Sequence, residues 1–489
     1  MNSDKKNIYT HIKKYIGIFG SIQGVCILTG VIRNKIAALM LGTMGMGLMS
    51  LLNSTVTFLS QATSLGLSYS GMREIAECKE RGDRMGVERC AAVIRAWSLV
   101  AALIGFTVCA ISYKWIDKIT FTNGDHSLHY LCLSPAVMLM AISGGETAIL
   151  KGMHRLKSLA VVQLVSALGT LVITVPLLYF FDMAAIVPVI VLTALVVLLS
   201  TIFYSYATVR LRIGHWHNLY NRLKKLLAEG SPMVKLGLAF VASMAMGSAS
   251  ELIIRAYLNV NSNLATVGLY NAGYLLAITY AGIFFSSLES DYFPRLSAVN
   301  NDMAKVNELM NYQTEISLTL ISPMMCAFIL LIPIIVPLLF SANFNAAIPM
   351  AQATTLTMMC KAACLPVSYV MLAKGDSKIY ICLEWLSYVL TVSGVIVGYT
   401  YGGLTGTGIG LTAAYATELT VNSISLRIRY GLKQRAKLII YFAIQMGMVV
   451  AVYASTYIHD DITRWSVGIG ITAICSAYSV KYLKFSLRH

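Results

Sequence analysis

The sequence predicts an all-α polytopic membrane protein with about 14 transmembrane helices, and three observations carry that expectation. The 489-residue chain is 57% hydrophobic and only 12% charged, against about 25% charge in a soluble domain. Its apolar runs are about 20 residues long, which suits a membrane helix and is twice the length of a barrel strand. Its Lys and Arg gather in alternate connections, which fixes the orientation through the positive-inside rule.

The apolar segments follow in order. The first, about residues 15–41, comes after Lys13 and Lys14. It imitates a signal peptide but runs on without a small-residue cleavage pattern, so it is a retained helix. Its Gly20 and Gly24 form a GxxxG packing motif. Gly42, Gly45 and Gly47 turn the chain into the second span, about 47–70. Spans at about 91–112, 128–150, 159–181 and 185–207 complete six, with the longest outer connection at 113–127. A second six lie at about 236–258, 267–290, 313–340, 348–372, 379–400 and 406–426, the last opening on Gly406, Gly408 and Gly410. Two more, about 438–458 and 465–483, return the basic tail Lys481, Lys484 and Arg488 to the side of the N-terminus. Between the two sixes, Trp216, Leu219, Leu223, Leu226 and Leu227 share a helical face opposite Arg222, Lys224 and Lys225. That pattern predicts an amphipathic linker lying on the inner membrane surface.

With both termini inside, Lys114, Lys118 and Arg464 lie outside, Arg33, Lys35, Arg255 and Lys361 lie within spans, and the other basic residues are cytoplasmic. The net charge of +16 therefore does not form one solvated basic face, and no nucleic-acid partner is expected. The ten cysteines make no CxxC pair, and Cys26, Cys109, Cys326, Cys360, Cys364 and Cys475 read as small packing residues. His126 with His129, and His215 with His217, come two at a time, short of a metal set. The glycine clusters lack the strand and Lys-Ser/Thr of a phosphate loop, and no nucleophile elbow is present. Neither an enzyme nor a resident cofactor is expected.

Landmarks of the first half recur in the second at a nearly constant offset. Arg33 returns as Arg255 and Arg73 as Arg295, both after 222 residues. Lys151-Gly152 returns as Lys374-Gly375, Ser166 as Ser387, Tyr179 as Tyr401, and Asp83/Val87 as Asp302/Val306. A duplication of even-numbered helix sets predicts two pseudo-symmetric six-helix lobes around a central cavity, plus two C-terminal helices. The expected divisions are 1–209, the linker 210–235, 236–430 and 431–489.

The stretches RNKIAALMLGTMGMGLMSLLNS from Arg33 and SLGLSYSGMREIAE from Ser64 resemble the amino-terminal signature of O-antigen translocases. VGLYNAGYLL from Val267 and YFPRLSAV from Tyr292 are similar to elements of bacterial polysaccharide transporters. Both groups belong to the multidrug, oligosaccharidyl-lipid and polysaccharide exporter superfamily. The resemblance implies a flippase in the bacterial inner membrane that moves an undecaprenyl-diphosphate-linked glycan outward by alternating access. It implies the lipid-linked glycan and membrane lipids as partners, with other polysaccharide-assembly membrane proteins beside them, and function as a monomer. Many O-antigen translocases have twelve helices where fourteen are expected here, which keeps capsule exporters and peptidoglycan-precursor flippases in view.

Charges inside spans cost roughly 2.5–3.5 kcal/mol each and mark pathways. Arg33 and Arg255 sit roughly 27–29 Å from the inner face at 1.5 Å per residue, where guanidinium forks could hold a diphosphate or else snorkel to headgroups. Lys35 lies close by on another face. Lys361 and Glu418 come near the bilayer midplane, as an ion pair or as groups facing water. Glu251 stands one turn before Arg255 and suits an intrahelical pair. Glu384 and Glu146 lie nearer the inner face. With Glu251 and Glu418 they are the candidates for coupling to H+ or Na+. Arg73 and Arg295 stand at the inner mouths of the second and eighth helices, as phosphate ligands or anchors. The rival function is a multidrug or sodium/proton antiporter. Four basic groups in the spans favour an anionic substrate over it.

Overall fold

A computed structural model describes residues 2–121, 126–209 and 219–486, and every regular element among them is helical. Among the described residues there are fourteen α-helical stretches, once two long runs are divided at their glycine turns and pieces separated by short breaks are taken together. They are α1 (2–41), α2 (43–80), α3 (Arg84–Thr120), α4 (Ser127–Gly152), α5 (Leu156–Phe181), α6 (Ile186–Thr208) and α7 (Leu219–Asn261). Then come α8 (264–298), α9 (Met303–Leu339), α10 (348–373), α11 (377–402), α12 (404–430), α13 (Ala436–Ser455) and α14 (Asp461–Ser486). Among the described residues eight stretches are long and apolar enough to cross a membrane, and two of these run 53 residues, enough for two crossings of about 20 residues each. The chain is a multi-pass membrane protein.

The turns are set by backbone that only a few residues accept. Gly42 (φ 61) joins α1 to α2, and Gly403 (φ 56, ψ −144) joins α11 to α12. Asp182 (φ 48, ψ −127) holds the same conformation after α5, 221 residues before Gly403. His154 (φ 51) and Gly375 (φ 76) match at the same interval after α4 and α10. The duplication is thus visible in backbone geometry, and the Lys-Gly match at 151 and 374 is displaced from it by two residues. Asp83 accepts from the Gly86 amide at 2.8 Å, and Asp302 from the Ala304 and Lys305 amides, so the paired aspartates are N-caps of α3 and α9.

By packing, residues 1–264 and 265–489 form two compact units. In the first, α4 packs on α3, α6 and the 67–80 part of α2, while α7 packs on α3 and on the 2–80 stretch. Glycines make that last contact close. A Cβ on Gly66 (φ +66) would stand 2.1 Å from the Gly237 oxygen, and one on Gly237 would stand 2.3 Å from that of Leu65. Asn259 donates to the Thr120 oxygen at 2.7 Å, and Arg89 grips Glu229 at 2.6 and 2.8 Å. Helix α7 therefore groups with the first six helices by contact, although the duplication counts it with the second six.

In the second unit α9 is central, touching α10, α13 and α14. The two C-terminal helices dock on it through a buried polar chain. Thr319 meets Tyr441 at 3.0 Å, and Gln445 donates to Tyr441 and Ser479, each at 2.8 Å. Cys475 donates to Gln445 at 3.1 Å. In hydrocarbon such groups need partners inside the protein. Helix α8 carries a π-helical turn at Leu275–Tyr280.

Several expectations change in detail. The outer connection at 113–127 is mostly helix, because α3 runs to Thr120 with no breaker before Asn123-Gly124. The α11–α12 turn falls at Gly403, while Gly406 and Gly410 sit inside α12 as contact points. Among the described residues, a Cβ on Gly24 would meet nothing within 4 Å, so packing at that end of the GxxxG motif is not seen among them. Trp216 of the linker's apolar face, and His215 with His217, lie outside the described residues. Within them, Leu226 packs on a buried cluster with Val93, Val234 and Met233.

Candidate functional site

Three helices of the second unit line an open cavity of about 280 Å3. Each presents a stripe at helical spacing. Helix α10 gives Lys361, Cys364, Leu365 and Ser368; α11 gives Tyr380, Leu383, Glu384, Ser387 and Tyr388; α12 gives Tyr415, Glu418 and Asn422. The α11–α12 pair can close around it because a Cβ on Gly410 would lie 1.9 Å from the Gly394 oxygen, and one on Gly406 1.9 Å from that of Gly398. Thr412 donates to the Ala353 oxygen at 3.2 Å and ties α12 to α10.

The cavity's charged groups are held in place by bonds. Ser387 Oγ donates to Glu418 Oε2 at 2.7 Å, and Cys364 Sγ stands 3.7 Å from Glu418 Oε1. Tyr388 donates to Glu384 at 3.3 Å, and Asn422 donates to Ser368 at 3.0 Å and to Cys364 at 3.2 Å. Lys361 Nζ lies over the Phe285 ring, 5.4 Å from its centroid. The lining thus offers one ammonium, two carboxylates and three phenols, a set able to bind an anion at Lys361 and a proton or small cation between the carboxylates. In the first unit Ser166, the repeat partner of Ser387, bonds instead to Ser200 at 2.9 Å. A hydroxyl is found there where the second unit has a carboxylate.

Lys361, Glu384 and Glu418 are the three sequence candidates that one cavity brings together. The others are placed elsewhere. Arg255 is buried, donating from Nε to Ser50 at 2.8 Å and from Nη1 to Glu251 Oε2 at 3.1 Å. The intrahelical Glu251–Arg255 pair is therefore present, with the Glu251 side chain half exposed. Arg33 and Lys35 are half-buried on α1, and Arg33 Nη2 stands 3.5 Å from Asn34 Oδ1. Arg33 and Arg255 belong to the same unit, since α7 packs with the first six helices. Arg73 is exposed and paired with Glu77 at 2.8 Å, and Arg295 is exposed and paired with Asp291.

Glu146 is engaged in a way sequence reading does not foresee. It is 3% exposed and takes a two-pronged contact from Arg95, at 2.8 Å from Nε and 3.1 Å from Nη2. Ser205 donates to the same carboxylate at 2.6 Å, and the guanidinium also reaches the Val209 oxygen and lies 3.8 Å from the Tyr206 ring centroid. The sequence counts Arg95 with the cytoplasmic basic residues because it falls at the very start of an apolar run. It is in fact a buried clamp joining α3, α4 and α6. The tyrosines, serines and Asn422 of the cavity were missed too. Their signal was a polar stripe at i, i+4, i+7 and i+8 along α11 and at i, i+3 and i+7 along α12.

A family model described as "Polysaccharide biosynthesis protein" matches residues 13–300, more than half of the chain. No curated protein matches the sequence. Among solved structures, the fold is similar to that of "Lipid II flippase MurJ, inward closed conformation", with TM-score 0.72 and 14% identity over 95% of this chain and 99% of that one. It is similar also to an inward-facing multidrug resistance MATE family transporter of the MOP superfamily, with TM-score 0.69 and 16% identity over 83% of this chain and 94% of that one. At these identities the likeness is one of fold.

Proposed function

Because the chain belongs to the polysaccharide biosynthesis protein family, we propose that it is a flippase. In this reading it carries an undecaprenyl-diphosphate-linked oligosaccharide from the cytoplasmic to the periplasmic leaflet of the bacterial inner membrane, with both termini in the cytoplasm. The observation that supports it is the cavity that Lys361, Glu384 and Glu418 line together among the helices of the second unit. Ionisable groups among lipid-embedded helices are costly and commonly line a pathway, which supports a polar passenger in this space.

Lys361 is the anion-facing group, and the two carboxylates are sites for a coupling H+ or Na+. Arg33, Lys35, Arg73 and Arg295 give further basic charge along the path of a diphosphate, and Glu251 neutralises Arg255 until a phosphate competes for it. Alternating access requires moderate binding in both states, since strong preference for one would trap it. The lipid-linked glycan and the surrounding lipids are the partners, and a monomer suffices.

A second reading, a cation-coupled multidrug antiporter, draws on the two carboxylates facing one amine in the cavity. Deleting the gene separates them. The flippase reading expects lipid-linked glycan to build up on the cytoplasmic face, with rescue by the wild type and by Tyr401→Phe, but at least about tenfold weaker export with Lys361→Met or Glu418→Gln at equal membrane abundance. Drug sensitivity without glycan build-up would favour the antiporter, and build-up of a peptidoglycan precursor would reassign the glycan.

A further inference from the structure

Two thiols that have been given no role above meet in the first unit. Cys78 lies in the last full turn of α2 and Cys90 in the second turn of α3, and their sulfurs are 3.6 Å apart. Both are half-buried and free. We propose that they form a reversible dithiol site that closes to a disulfide on two-electron oxidation and fastens the 67–80 segment of α2 to α3.

The segment is built to need fastening. It is separated from the rest of α2 by two successive left-handed residues, Leu65 (φ 53) and Gly66 (φ 66). Such a break ends the continuous backbone hydrogen bonding of a helix, so 67–80 is a separate helical piece held by its packing. Beyond it, the segment ends in the Arg81–Asp83 turn, where Gly82 is also left-handed (φ 72). Positive-φ breaks thus lie on both sides of 67–80, and the thiols sit next to its far end. Cys78 and Cys90 both pack on a buried cluster that includes Ile75, Val87, Ile94, Val209 and Met233. The neighbour of Cys90, Arg89, is already clasped to Glu229 of α7. A bond between the sulfurs would link α2 through α3 to α7.

A disulfide needs the sulfurs at about 2.05 Å, so side-chain rotation must bring them roughly 1.5 Å closer. With an azo oxidant such as diamide, each thiol gives up its proton, one S–S bond forms, and the electron pair and both protons pass to the azo group, which becomes a hydrazine. A thiol reductant reverses the step by exchange.

The full-length protein in membranes, treated with diamide and then alkylated and digested with trypsin, should yield the Cys78 and Cys90 peptides joined to one another and released by dithiothreitol. Cys132 and Cys382, which are exposed, should remain alkylated. Amide hydrogen exchange across 67–80 should slow about tenfold on oxidation in the wild type and be unmoved in Cys78→Ser and Cys90→Ser. Full alkylation of both cysteines after diamide, or a bridge that leaves exchange unchanged, would overturn the proposal.

Discussion

Neutralising Glu146 separates a structural clamp from a transport residue. Arg95 and Glu146 are 8% and 4% exposed at their side chains, so neither charge has water to fall back on. Glu146→Gln keeps the shape and an acceptor for Ser205 but leaves the guanidinium with the Val209 oxygen, the Tyr206 ring and no counter-charge. Breaking a buried pair from one side costs about 3–5 kcal/mol. At about 2–4 °C per kcal/mol for a unit of this size, melting should fall by roughly 6–20 °C. Replacing both partners, as Arg95→Met with Glu146→Leu, removes the stranded charge and should recover most of the loss. The assay is thermal unfolding of the purified protein followed by tryptophan fluorescence, with export measured in the same strains. A fall of less than about 1 kcal/mol for Glu146→Gln would refute the clamp. So would a double variant that regains stability and yet exports nothing, since that would return Glu146 to the coupling residues.

The glycine contacts make a second test. Gly410→Ala forces a Cβ against the Gly394 oxygen and should cost about 1–3 kcal/mol, whereas Gly402→Ala meets nothing within 4 Å and should leave melting unchanged. For pH, the Tyr430 hydroxyl and then Arg429 hold the Asp376 carboxyl below its ordinary 3.8. A depressed folded value contributes stability that is full above that ordinary value and lost as pH falls through the lowered one. The melting gap between wild type and Asp376→Asn should therefore be constant from neutral pH to about pH 5 and close below about pH 4; a gap that widens in acid would contradict the assignment. Finally, Ser387→Ala removes the 2.7 Å bond to Glu418 and should weaken export less than Glu418→Gln does, as scored by glycan accumulation. An equal or larger loss would place Ser387 itself in contact with the passenger.

Within the cavity, what could be read from the sequence depended on residue type. Lys361, Glu384 and Glu418 stand out because a charge in an apolar run is costly wherever it points. Tyr388, Ser387 and Asn422 do not, because phenols, hydroxyls and amides are common in membrane helices and bond as readily to their own helix. Only the α11–α12 contact at Gly394, Gly398, Gly406 and Gly410 shows which of them face Glu418. The clamp escaped notice for the complementary reason. Arg95 looks like an ordinary anchor at the edge of a span, and its partner lies 51 residues away.

By itself the sequence determined the helical membrane class and about fourteen helices, since hydrocarbon demands long apolar helices, and it carried landmarks whose interval the turns at Asp182 and Gly403 repeat. Tertiary structure alone decided which intramembrane charges are already satisfied. Arg255 and Glu146 are neutralised by neighbours, while Lys361, Glu384 and Glu418 converge on a cavity. Period and hydropathy fix how a helix presents its faces to lipid, but the partner of a buried charge depends on which helix lies across from it, and packing sets that.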